Sequence, residues 1–162
     1  MFKYIYEDDR GFTIYDKYFE YLKSIKKNLG DELYLFISDV NRYNLTSEYS
    51  FHDSWLRTLH VKDSTEDIGD RKEIVTKITI ELLGPNHDRI FHLNYFGVKS
   101  YLFDKPVKNI PINHYDLLCH EMRINKRRNI EHAMLFDNEI KFLIEFSKFD
   151  FKETLLSIQE QR

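Results

Sequence analysis

Hydrophobic positions recur at helical spacing in the first third of this chain and at every second residue after it. Over residues 14–29, IYDKYFEYLKSIKKNL, the residues Tyr15, Tyr18, Phe19, Leu22, Ile25 and Leu29 form one stripe with lysines opposite. That spacing predicts an amphipathic helix, with Gly30 as its stop. DELYLFISDV follows, with Asp31 placed to cap and Leu33, Phe36, Ile37 and Val40 at i, i+3, i+4 and i+7, so a second, shorter helix is expected. NRYNLTSEYS has no period and reads as a loop.

After residue 50 the period becomes two. HDSWLRTLHV reads as a first strand, and the polar run KDSTEDIGDRK as a turn or exposed loop. In KEIVTKITIELL, Ile74, Thr76, Ile78, Ile80 and Leu82 share one face. GPNHD supplies turn chemistry, and RIFHLNYF returns as a hairpin partner. VKSYLF is a short strand, and DKPVKNIPINHYD, with two prolines, is irregular. Three more strands are expected, LLCHEMRI, IEHAMLF and EIKFLIEFSKFDF, joined by NKRRN and DNE as tight turns. The closing TLLSIQEQR is expected to add a short helical turn.

Hairpin-length links leave no crossover helices with which to build a parallel sheet. The expected class is therefore α+β: two N-terminal helices packed on a mainly antiparallel sheet, or flattened barrel, of six to seven strands. One domain is expected over residues 1–162, its helical part at about 12–45 and its β part at about 50–152. Trp55, the lone tryptophan, is expected to be largely buried where the first strand meets the helices.

Composition narrows the chemistry. The aromatic share is 15%, with 13 Phe and 11 Tyr, a density suited to sheets and helix–sheet interfaces. A net charge of -3 provides no basic surplus for phosphates, so nucleic acid is not an expected partner. The single cysteine, Cys119, excludes an internal disulfide and a multi-cysteine zinc site, and it lacks the setting of a nucleophile. No signal peptide and no stretch near the ~20 apolar residues of a membrane span is present, so the expected location is cytoplasmic and no membrane contact is expected. The motifs of serine hydrolases, P-loop enzymes and dinucleotide binders are missing, and no cofactor is expected.

Several segments together resemble a family of small, uncharacterised bacterial proteins: SDVNRYNL with SFHDSWL, then ITIELLGPNHDRIFHLNYFGVKSY, then LLCHEMRI and IEHAMLFDNEIKFLIEF. The family pattern is a "LHDSWL"-like strand, a "GxxHDR" turn, a "Y-x-GV" hairpin and a closing "HE-hydrophobic … I-x-F" hairpin. The likeness covers roughly residues 35–150, and HDSWL with GPNHDR is its most specific part. Here Phe51 precedes His52, and the closing hairpin reads EHAML. The resemblance implies a fold and a bacterial origin, and no activity.

Four groups of residues could carry chemistry. His52-Asp53 could pair an imidazole with a carboxylate, or ligate a metal. Neighbours in a strand point to opposite faces, however, so a structural role is expected, with Asp53 or Ser54 bonding the local backbone. His87-Asp88-Arg89 suits turn hydrogen bonds, the alternative being an anion-recognition loop. His120-Glu121 and His132 fall on adjacent strands; with His92 they would supply three imidazoles for zinc or nickel, against the plainer reading of half-buried sheet histidines. Lys126-Arg127-Arg128 is expected to be a solvated hairpin tip. The expected function is a non-enzymatic module that binds another protein, an immunity-type or accessory factor, with homo-oligomerisation left open. The alternative is a metal-dependent enzyme built on the His/Asp set.

Overall fold

The computed structural model describes residues 1–106 and 115–157. A two-stranded ribbon of β1 (Tyr6–Glu7) and β2 (Thr13–Ile14) opens the chain. Then come α1 (Asp16–Ile25), a 3₁₀ turn at Lys26–Asn28 and α2 (Asp31–Ser38). The helices lie where the 3.6-residue period places them. Gly30, not Asp31, is the N-cap of α2; Asp31 and Glu32 occupy its first turn, where their charge suits the helix N-terminus.

Eight strands follow: β3 (Trp55–Ile68), β4 (Arg71–Leu83), β5 (Arg89–Phe96), β6 (Ser100–Asp104), β7 (Leu117–Ile124), β8 (Ile130–Phe136), β9 (Lys141–Phe146) and β10 (Lys148–Leu155). They form two antiparallel four-stranded sheets, ordered β10-β5-β4-β3 and β6-β9-β8-β7. The class is α+β as expected, but the sheets stay separate and do not close into one barrel. Their inner faces share a core with the helices: Ile78, Ile80, Leu82, Phe91 and Tyr95 from one sheet, Met122, Met134, Phe136 and Phe146 from the other, and Tyr18, Leu22 and Ile37 from the helices.

The β1–β2 ribbon has no counterpart in the sequence reading, β3 and β6 start later than HDSWLRTLHV and VKSYLF do, and three larger differences follow. The polar run after Val61 is not a loop but the outer half of a long β3–β4 hairpin, closed by Gly69-Asp70 with Ile68 opposite Arg71. Backbone pairing holds a strand there without any apolar period. EIKFLIEFSKFDF is two strands, because the chain leaves one sheet at Ser147 and enters the other. Thr154 and Leu155, expected in a helical turn, pair with Ile90 and Arg89 as the end of β10; residues 158–162 of that turn lie outside the described residues. So do residues 107–114 of the proline-bearing segment.

The two crossings between sheets are stitched together. Ser147 donates its backbone N–H to the Phe96 carbonyl, and its hydroxyl bonds the Phe96 and Gly97 carbonyls. Gly97 has φ +55, and a Cβ there would stand 2.1 Å from Ser147 Oγ. Gly97→Ala is therefore expected to cost about 1–3 kcal/mol, from left-handed strain plus the clash. A urea midpoint measures it, and adding Ser147→Ala should recover only the part due to the clash.

Tyrosines finish the exposed edge of β7. The Tyr18 hydroxyl accepts from the Met122 N–H at 2.9 Å and donates to the Met122 carbonyl at 3.1 Å. The Tyr21 hydroxyl accepts from the Ile124 N–H at 2.8 Å. Backbone groups that a bare edge would offer to another strand are thereby occupied by α1.

Candidate functional site

His120 and His132 do meet, and they do so in the core. In the β7–β8 register His120 faces Met134 and His132 faces Met122, so the two imidazoles are diagonal neighbours on one face. His120 Nδ1 lies 3.2 Å from His132 Nε2, and His132 Nδ1 lies 2.7 Å from the Tyr95 hydroxyl of the facing sheet. His120 also stacks on Tyr43, with centroids 4.7 Å apart and planes 11° off parallel. Burial, with the Arg42 charge second, pushes His120 down to about 3. Burial, with His120 second, holds His132 well below the imidazole range. Both rings are neutral at neutral pH.

One tautomer accounts best for the chain. Tyr95 donates to His132 Nδ1, His132 Nε2–H donates to His120 Nδ1, and His120 Nε2–H is the one group of the three side chains without a partner among the described residues. The reverse tautomer would leave the Tyr95 hydroxyl proton unplaced as well. His92 does not join this pair; it sits by Glu81 and Thr154, at 3.3 Å and 3.1 Å. The three-imidazole arrangement is therefore not formed, and among the described residues no group of three or more His, Cys, Asp or Glu side chains is placed to hold a metal ion. Glu121, next to His120, points to the opposite face, as strand alternation requires. Its carboxylate accepts the N–H groups of Lys3, Tyr4 and Ile5 and a bond from Arg123.

His52 and Asp53 do come together, with His52 Nδ1 3.0 Å from Asp53 Oδ1, though not aligned as a hydrogen bond. The strand argument fails because the pair precedes β3 in a turn where Asp53 has φ +62. Ser54 makes the local backbone bond, donating to the Ser50 carbonyl. His52 lines a pocket of about 330 Å³ with Cys119, Glu7, Thr13 and apolar side chains. Burial raises the Cys119 thiol to about 12, so the pocket holds no ready thiolate.

His87-Asp88-Arg89 divides in two. His87 (φ +56) is a turn residue whose ring lies tilted against Trp55, centroids 3.9 Å apart, and Trp55 is half-buried there rather than sealed under the helices. Arg89 is a structural hub: its side chain is 4% exposed, and it binds Asp88, Glu48 and Glu153, tying β5 to β10 and to the loop before β3. It is not an open anion site. Lys126-Arg127-Arg128 forms the expected tip of the β7–β8 hairpin, with Asn125 Oδ1 accepting from the Arg127 and Asn129 N–H groups.

Arg42 escaped the sequence reading, since the aperiodic loop that carries it holds no motif. Its guanidinium lies among the rings of Phe36, Phe51 and Phe151, 4.7, 5.3 and 4.3 Å from their centroids. Its side chain is 11% exposed; the nearest carboxylate oxygen, on Asp39, stands 3.9 Å from Nε, too far for a hydrogen bond. Among the described residues neither Nε nor Nη1 has a hydrogen-bond partner, and both are closed to solvent. The chain was compared with family models, curated proteins and solved structures, and it matches none of them. The family resemblance of HDSWL and GPNHDR therefore stands on those motifs alone, and function must be read from the geometry.

Proposed function

We propose that the protein is a non-enzymatic module that binds another protein, of the immunity or accessory type, through the β3–β4 arm. One observation carries the reading: the apolar face of β4 outruns the core it covers. Ile78, Ile80 and Leu82 are buried, whereas Ile74, farther out on the same face, is 76% exposed. Thr65 stands across from Ile74 and Val61 across from Ile78, both exposed. The β4–β5 pairing begins only at Ile78 opposite Tyr95, so the outer arm is a two-stranded ribbon among the described residues. Such a ribbon has little stability of its own, and an apolar anchor at its surface suits a partner's pocket. On the other face Lys62 faces Lys77 and Glu66 faces Glu73, like-charge pairs that opposite charges from a partner would relieve.

A photo-crosslinking residue at position 74, with one at Lys152 as control, tests this in the cells of origin. The expected result is one defined protein joined at position 74 only. Purified, that protein should bind the wild-type chain and lose about tenfold or more affinity to Ile74→Asp, with an unchanged melting temperature. No adduct above the control, or an adduct to the chain itself, would overturn the reading.

A further inference from the structure

Among the described residues the side chains of Arg42, Arg89 and Arg123 are largely removed from water, and the surroundings of Arg42 and Arg89 are opposite. Arg89 holds three carboxylates, Asp88, Glu48 and Glu153. Arg42 holds none by hydrogen bond, since Asp39 turns its Oδ1 to the Asn41 N–H. The Nε and Nη1 of Arg42 are closed to solvent as well as unpartnered among the described residues, so Nη2 is the guanidinium nitrogen left to meet an acceptor from outside the chain.

Arg42 borders a cleft of about 470 Å³ between α2 and β10, a size that accepts a small ligand or a few side chains. Leu33, Phe36, Phe149 and Phe151 line it with Arg42, and Phe36 packs against both Phe149 and Phe151 at 4.8 Å. The remaining lining includes Glu32 and Asp150, both exposed. These carboxylates oppose a dianion such as phosphate, while the rings offer an apolar wall. We infer that this cleft binds a monoanionic carboxylate carried on an aromatic or aliphatic body, one oxygen taken by Arg42 Nη2 and its body by the phenylalanines. The site shares no residue with the β3–β4 arm, so it stands whether or not the arm binds a partner.

A carboxylate of this kind occurs on free organic acids and on acidic side chains of apolar peptides. Two probes separate the sources: 3-phenylpropionate, and a capped tripeptide with one aspartate between two phenylalanines. Each is titrated calorimetrically beside its uncharged amide counterpart. At least one acid should bind about tenfold or more tighter than its amide, as loss of one charge-assisted pair implies, and the tighter of the two identifies the source. Arg42→Met should abolish that preference while the melting temperature is held or raised, because an apolar side chain suits the ring cage; Arg42→Gln is the second variant. Equal binding of acid and amide, acid binding undiminished in a folded Arg42 variant, or no binding of either acid would overturn the inference.

Discussion

Acidification from pH 7 to pH 5 is expected to lower folding stability by about 4 kcal/mol, most of it through His120 and His132. In the unfolded chain both imidazoles take up protons near pH 6.5. In the folded core His120 resists protonation down to about 3, and His132 also stays well below its ordinary range. Folded pKa values are thus depressed for two bases, and the unfolded state binds more protons throughout the window below about 6.5. Stability must fall as pH falls through that window, by about 1.4 kcal/mol per unit for each ring. Carboxyls held low in the fold, Asp8 by the Phe12 N–H and Asp88 by Arg89, add their own loss only in the carboxylate range, below this interval. Urea unfolding at pH 7, 6 and 5 measures the slope, and His120→Phe should roughly halve it by leaving one titrating ring. A flat profile would show that the two imidazoles are not sealed from water.

Removing the Glu121 carboxylate is the second large change. Glu121 is fully buried, and Glu121→Ala strips acceptors from the Lys3, Tyr4 and Ile5 N–H groups and a partner from Arg123. Breaking a buried ion pair in this way should cost about 3–5 kcal/mol, because donors and a charge remain without compensation. Arg123 keeps Glu131, which moderates the loss. The signature is local as well as global: amide exchange at residues 3–5 should accelerate beyond the change in the rest of the core. A loss under about 1 kcal/mol, with those amides still protected, would mean that the N-terminal segment is held by its rings instead.

The strands were legible to different degrees, for a physical reason. LLCHEMRI and IEHAMLF were read to the residue, because their apolar alternation sits between turn residues, Asn125 to Asn129, that fix the hairpin. The outer half of β3 was read as a loop, because KDSTEDI buries nothing and so leaves no period to see. The join at Ser147 was invisible, since alternation continues across it while the pairing partner changes from β8 to β5. Trp55, expected to be largely buried where the first strand meets the helices, stands half-buried against His87.

By itself the sequence determined which segments are helical, which alternate, and that strands joined by tight turns pair antiparallel, all local consequences of period and turn chemistry. It also made His120 and His132 neighbours in prospect, since a short hairpin leaves few registers. Only the tertiary structure decided that this pair is sealed against Tyr95, that His92 lies elsewhere, and that Arg89 is saturated while Arg42 lies among three rings with its nearest carboxylate at 3.9 Å. Those outcomes depend on contacts between residues distant in the chain, such as Tyr95 with His132, 37 positions apart, and Arg89 with Glu153, 64 apart. No local pattern encodes which of two arginines the few available carboxylates will reach.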